Sequence, residues 1–466
     1  MKRYICEGLA EYLSKDRKPW HMPGHKRKNC INEFDEEAGI DLAAFLKCDV
    51  TEVSGTDDLH HPEDMILKSQ QQLAEIYYSY ASYYMVNGST GGILSAIGGV
   101  AERGKAAGKN KIIIARNCHK SVYNGIKLFG LEPIYVEPKY VELEDSYKSY
   151  IYGEITPQQI ESLVEQHQDI CAVVITSPTY EGVVSDVAGI KKVLKPCGIS
   201  LIVDEAHGAH LPFMDGEDQL PKSAVKQGGD IVVQSLHKTL PALTQTAVLH
   251  VNNEKLCEGV QKYLSVFMSS SPSYPMLCSM EQAVIGSWEK KQQVGYKKYL
   301  STLRGFRENI SKLKNIKLFE GLKSSSGLYA YDETRIVLYG NWSGEFLGER
   351  LRKLGNIEIE MSGVNYVVLI STYVDGVEDF AHLERTVKLL DEELDSQENY
   401  VGEMQEVAET TFSEEQLFSL VGKVAAANIY VYPPGSYIVA AGEEITEEAV
   451  EKIKELKVSG KRIVGI

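Results

Sequence analysis

Residues 230–239 read Asp230-Ile231-Val232-Val233-Gln234-Ser235-Leu236-His237-Lys238-Thr239, an apolar run that ends in a polar cluster around one lysine. Upstream, Leu201-Ile202-Val203-Asp204-Glu205-Ala206-His207 has the same form and ends on an aspartate. Continuous Val/Ile runs of this kind read as strands covered on both faces. One strand therefore delivers an aspartate, and a later one a lysine, to the same edge of a sheet. Pyridoxal phosphate (PLP) chemistry requires that pair: the lysine holds the coenzyme as an imine, and the carboxylate keeps the ring nitrogen protonated so that the ring accepts electrons.

Working outward, further strands are predicted at Ser82–Val86, Lys111–Ala115, Glu132–Val136, Ala172–Thr176, Ser200–Val203, Ile231–Val233 and Thr246–Val251, with helical segments between them. The pattern is that of a doubly wound α/β domain with a mostly parallel sheet, whose ligand sits at the strand C-termini. A long helix is expected over Pro62–Ala81. Four regions follow: an N-terminal arm (1–45), the large PLP-binding α/β domain (46–290), a small α+β domain (291–395) and a C-terminal domain (396–466). The small domain opens on a Lys-rich helix near Glu289–Lys314 and has strands near Thr334–Leu338 and Tyr366–Ser371. Between Asp391 and Gln416 lie ten acidic residues and no Lys or Arg, which reads as a solvated boundary. A turn at Tyr432-Pro433-Pro434-Gly435 precedes a terminal amphipathic helix.

At 466 residues the chain exceeds one compact core, and 43% apolar with 24% charged residues is an ordinary globular balance. The eight cysteines form no CxxC pair, which favours reduced thiols and a cytoplasmic location. No apolar run is long enough to span a bilayer, and no signal peptide is visible after Met1-Lys2-Arg3. A net charge of −16 argues against a nucleic-acid partner. It mildly favours cationic small molecules, although solubility is the simpler reason for it.

Asn87-Gly88-Ser89-Thr90-Gly91-Gly92 follows a strand and opens a helix, a place where backbone amides and hydroxyls of Ser89, Thr90 and Gly91 can hold a phosphate. An ordinary capped glycine turn has the same local sequence. Asp204-Glu205-Ala206-His207 spells the helicase DEAH box, but no Walker loop and no basic surface accompany it, so that reading is rejected. A strand-end Asp is otherwise a helix cap, and a lone Lys such as Lys238 is otherwise a solvated surface group. Their company decides for function, with Ser235 and His237 flanking Lys238 as further phosphate donors. Eight of the eleven histidines (21, 25, 60, 61, 119, 207, 210, 237) fall in these suspect segments. Metal binding is the rival account of that clustering, and no HExxH or Cys/His zinc spacing supports it. His119, just beyond a strand, can stack on a coenzyme ring, or serve as a plain strand-end polar residue. Thr176, in Thr176-Ser177-Pro178-Thr179-Tyr180-Glu181-Gly182, can reach a coenzyme oxygen or simply belong to a proline turn.

Taken together, these segments resemble the fold-type-I PLP-dependent ornithine/lysine/arginine decarboxylases, in the shorter form without an N-terminal receiver-like domain. The resemblance runs in order through His21-Met22-Pro23-Gly24-His25-Lys26, the stretch 49–62, the 87–92 turn, 116–121, 176–182, 204–210, 235–239, Ser269–Pro275 and 432–435. It implies an aspartate-aminotransferase-like large domain with smaller α+β C-terminal domains. It further implies Lys238 as the imine lysine, Asp204 as partner of the pyridine nitrogen, His119 as the stacking ring and His207 beside the coenzyme. Ser89, Thr90, Ser235 and His237 are the implied phosphate ligands. A homodimer is implied too, with the Ser269–Ser271 loop reaching the neighbouring subunit.

The expected reaction is decarboxylation of a basic amino acid, arginine first and then lysine or ornithine, to CO2 and agmatine or a diamine in polyamine metabolism. His119 or Lys238 would return the proton. Asp49, Glu52, Asp57, Asp58, Glu181 and Glu443 are the candidate carboxylates for the distal cation. A PLP aminotransferase or aldol-type lyase is the alternative, and a catalytically silent PLP-binding protein a more remote one.

Overall fold

The computed structural model describes residues 1–15, 17–28, 42–143, 150–214, 216, 220–293, 295–323, 327–395, 417–427, 429–432, 436–440, 442–458 and 462–465. Seven strands form the central sheet: β1 (Ala81–Met85), β2 (Lys111–Ala115), β3 (Glu132–Val136), β4 (Ile170–Thr176), β5 (Ser200–Asp204), β6 (Ile231–Ser235) and β7 (Ala247–Val251). Their order is β1-β7-β6-β5-β4-β2-β3. β2 through β6 run parallel, while β7 is antiparallel to both β6 and β1. Ile113, Val174, Ile202 and Val232 are wholly buried, as strands covered on both faces require. Each such side chain contributes about 1.5–3 kcal/mol by leaving water.

Helix α1 (Met65–Tyr77) is shorter than the expected 62–81. The Asp57 carboxylate accepts from the amides of Glu63, Asp64 and Ile66 and so fixes where the helix starts. Tyr78 ends it in the left-handed conformation, φ 59°. Helix α2 (Gly88–Ala106) opens directly from the turn after β1. It lies flush on the sheet because position 92 is glycine: a Cβ there would stand 2.8 Å from Val233 Cγ1. Helix α3 (Lys120–Phe129) follows β2. The Lys-rich segment expected as one helix is the end of α4 (Tyr274–Gln292) and the whole of α5 (Gly295–Ile310), which meet at a break near Gln293.

A second, antiparallel sheet comprises β8 (Lys317–Leu318), β9 (Arg335–Tyr339), β10 (Met361–Ser362) and β11 (Tyr366–Ile370), in the order β8-β9-β11-β10. Just before β9, Ala330–Tyr331 pairs with Val183–Val184 beyond β4. That pairing brings residues 332–335 against the C-terminal edge of the large sheet. A third sheet, β12 (Ile429–Tyr432), β13 (Ser436–Val439) and β14 (Arg462–Val464), packs with helix α6 (Glu447–Val458). It meets the large domain beyond β2: Arg116 stacks on Tyr135 at 3.6 Å and bonds Glu443 at 3.0 Å, while Tyr437 stacks on Tyr123 at 3.9 Å. Residues 396–416 of the acidic stretch and 433–435 of the expected turn lie outside the described residues. Among the described residues, no helix is long and apolar enough to cross a membrane.

Candidate active site

Four adjacent parallel strands end at one edge of the large sheet, and each delivers a side chain singled out above. Thr176 ends β4, and Asp204 ends β5 directly beside it in the register. Lys238 lies in the single helical turn Leu236–Thr239 after β6, and His119 caps α3 after β2. This is the carboxyl edge where open α/β sheets take their ligands.

Lys238 Nζ lies 2.9 Å from His207 Nε2. Burial pushes the Lys238 amine below its ordinary range, against the pull of Asp204 and Glu360. Burial, with Lys238 and Arg335 nearby, holds His207 neutral far below the usual imidazole range. The Asp204 carboxyl is pushed up by burial, with Lys238 opposing, and it accepts from Ala206 N at 3.2 Å. His119 is pushed down to about 4 by burial and then by Lys238. Its Nδ1 accepts from Ser121 N at 3.2 Å, which fixes the ring at the mouth of α3.

The turn carrying Ser89, Thr90 and Gly91 meets the turn carrying Ser235 and His237 through one loop. Gln245 Nε2 donates to Val86 O at 2.7 Å, and His237 Nδ1 lies 2.9 Å from Thr246 O. Burial lowers the His237 imidazole. The hydroxyls of Ser235 and Thr176 are buried with no hydrogen-bond partner among the described residues, as is Asn117 Oδ1. Buried polar atoms normally have partners, and each orphan needs a reason. A helix N-terminus, orphaned hydroxyls, a buried lysine whose amine is pushed below its ordinary range and a buried carboxylate together fit a phosphate-bearing aromatic aldehyde with a basic ring nitrogen.

The rest of the 204–210 segment has structural partners. Glu205 accepts from Ala224 N, Ser223 Oγ and Gln234 Nε2 at 2.6–2.8 Å, and burial pushes it up to about 7. Gln234 Oε1 continues the network to His250, and His250 to Ser82 Oγ. His210 lies 3.1 Å from Asp332 of the small domain.

A cavity of about 460 Å³ opens beside Lys238, lined by His237, Lys238, Glu360, Ile370, Thr372 and Asp375. None of the six carboxylates considered from sequence lines it. Asp49 bonds His25, Glu52 accepts from Thr51, Asp57 and Asp58 cap backbone amides, Glu181 accepts from Tyr366, and Glu443 holds Arg116. Glu360 and Asp375 escaped the sequence reading because each stands alone near a strand end of the small domain, with no local pattern. Arg335 was missed too, since a basic residue opening a strand reads as surface, yet it is wholly buried behind His207.

The profile of the Orn/Lys/Arg decarboxylase major domain matches residues 5–326. The chain belongs to the Orn/Lys/Arg decarboxylase family. It is a PLP-dependent amino-acid decarboxylase of that family. The uncharacterized protein YaaO of Bacillus subtilis is 32% identical over 98% of this chain and 94% of its own length. An arginine decarboxylase of the same organism is 28% identical over 96% of this chain and 92% of its own length. The structure of a Francisella novicida lysine decarboxylase superposes with a TM-score of 0.77 at 18% identity, covering 99% of this chain and 79% of that one, which shows the fold.

Proposed function

We propose that this decarboxylase acts on a basic amino acid, arginine before lysine or ornithine, and releases CO2 with agmatine or a diamine for polyamine metabolism. The observation that carries the reading is the pair of carboxylates, Glu360 and Asp375, in the cavity that also contains Lys238. A guanidinium or ammonium group at the far end of a substrate is met by two carboxylates, the exposed Glu360 and the part-buried Asp375, which also accepts from Thr372 N at 2.6 Å. The end-to-end similarity to a protein named arginine decarboxylase supports arginine as the first candidate.

In this reading Lys238 holds the coenzyme aldehyde, with Ser89, Thr90, Gly91, Ser235 and His237 at its phosphate and Thr176 at its phenolic oxygen. Bound there, PLP supplies the sink for the electron pair freed as CO2 departs. Asp204 holds the proton of the ring nitrogen. Its burial is well suited to that task, because a carboxylate with few donors gains most from a cationic N–H. His119 lies against the ring as a neutral imidazole, and His207 orients the Lys238 amine. The proton that replaces CO2 comes from Lys238 Nζ, or from His119 in its protonated form. We place the enzyme in the cytoplasm as a homodimer, with domain boundaries near residues 45, 290 and 395.

Mass-spectrometric product analysis tests the assignment, with arginine, lysine and ornithine offered separately and Lys238→Ala as control. Agmatine, cadaverine or putrescine that depends on Lys238 is the expected outcome. Absence of every amine, with a coenzyme absorbance band that still depends on Lys238, would sink the substrate class and favour aminotransfer or lyase chemistry.

A further inference from the structure

Arg335 is among the largest wholly buried side chains, and among the described residues no carboxylate bonds its guanidinium. Nη2 donates to His207 O at 2.8 Å and faces His207 Nδ1 at 3.4 Å, Nη1 lies 3.5 Å from Thr334 Oγ1, and Nε has no partner among the described residues. A buried cation so thinly bonded is costly unless a charge compensates it. Asp332 is that charge. Thr334 holds its carboxylate through N at 3.1 Å and Oγ1 at 2.8 Å, and His210 faces it. Burial pushes the Asp332 carboxyl up, but His210 and Arg335 outweigh it and keep the group ionised. The seat is shaped for the side chain as well: Gly182 has φ +102°, and a Cβ there would stand 2.9 Å from Arg335 Cγ.

A guanidinium can only donate. The imidazole nitrogen that faces it therefore keeps its lone pair, and a neutral ring then carries its proton on the other nitrogen. For His207 that nitrogen is Nε2, 2.9 Å from Lys238 Nζ. With Nε2–H donating, Lys238 must accept, and only the uncharged amine has a lone pair to do so. The groups facing Lys238 are Asp204 and Glu360, which favour the ammonium form, Arg335, which disfavours it, the Tyr180 ring with its centroid 5.5 Å from Nζ, and His119.

We propose that Arg335 is a positioning residue for Lys238: by occupying the Nδ1 side of His207 it fixes the Nε2–H tautomer and so holds the lysine as an oriented, uncharged amine. This rests on Lys238 being the reactive amine, and it assigns the small domain a task at the coenzyme lysine that is independent of substrate recognition.

The test uses the full chain before coenzyme is added, so it does not depend on which amino acid is decarboxylated. The ¹⁵N shifts of labelled His207 report its tautomer, and the pH-dependent rate of Lys238 carbamoylation by cyanate, read by mass spectrometry, reports the neutral amine. Wild type is expected to show protonated Nε2 and bare Nδ1 at neutral pH. In Arg335→Met the tautomers mix or the ring protonates, and carbamoylation at neutral pH slows about tenfold, one pK unit of lost repulsion. Arg335→Lys keeps the charge and should recover most of the rate. A wild-type His207 protonated on Nδ1, or a folded Arg335→Met with unchanged tautomer and unchanged rate, overturns the proposal. Should Arg335→Met fail to fold, the wild-type shifts and Arg335→Gln, which keeps a donor without the charge, decide it by the same readouts.

Discussion

The site has two walls of different construction. Thr176, Asp204 and Lys238 project from successive parallel strands of the large sheet, and His119 from the turn after another, so main-chain pairing sets their spacing. Opposite them, Arg335, Glu360, Thr372 and Asp375 come from strand ends and loops of a small antiparallel sheet, and are placed by packing between domains. The first wall holds groups suited to the coenzyme, and the second holds the charges that suit a substrate and the His207 ring. A scaffold of this kind can keep its chemistry fixed while the facing wall changes what is admitted.

Substitutions on each wall should therefore fail in different ways. Asp204→Asn is expected to cost the most, about 10²–10³-fold in kcat with little change in KM, the usual scale for losing one charge-matched group at the reacting centre. Steady-state kinetics on the amine product measures it, and a loss confined to KM would break the contrast. Glu360→Gln should do the reverse and raise KM about 10- to 100-fold, since a charge-assisted bond contributes about 1.5–3 kcal/mol. A drop in kcat alone would instead place Glu360 with the chemistry.

A third comparison probes what lies under the first wall. His250 is buried between Ser82, Gln234 and Tyr77, and burial pushes it down to about 3 from 6.5. The unfolded chain takes up that proton first, so this contribution is whole above pH 6.5 and is lost as pH falls towards 3. Between pH 7 and pH 5 the loss is about 2 kcal/mol. Glu205, pushed up to about 7, works in the opposite sense, since its contribution fades as pH rises through 7. Urea unfolding of wild type and His250→Gln at both pH values isolates the histidine, and equal slopes would refute the assignment. The smallest effect is expected outside both walls. Asp49→Asn removes the partly buried pair with His25, neither member of which lines the cavity, and its KM should stay within about twofold of wild type.

Much of the first wall was legible in the sequence, because Val/Ile runs that end in Asp, Lys or His carry their own punctuation. β2 and β3 match their expected limits, and β5 runs one residue further, to Asp204 itself. The reversed direction of β7 was not legible, since an apolar run reads the same in either sense. Nor was the end of α1, where Tyr78 takes a left-handed conformation that sequence usually marks with glycine. The second wall left almost no trace. Glu360 and Asp375 are ordinary acidic residues in a chain with 65 of them, and long-range contacts such as the pairing of residues 330–331 with 183–184 and the Arg335–His207 bond bring their domain to the site.

The contact between Arg116 and Glu443, with Tyr437 on Tyr123, ties the third sheet to the segment that carries His119. Twenty-one residues of chain, 396–416, separate that sheet's region from the small domain. The C-terminal sheet is in this sense a brace on the turn that presents His119, so a change at Glu443 or Tyr437 would reach that ring without altering a residue of either wall.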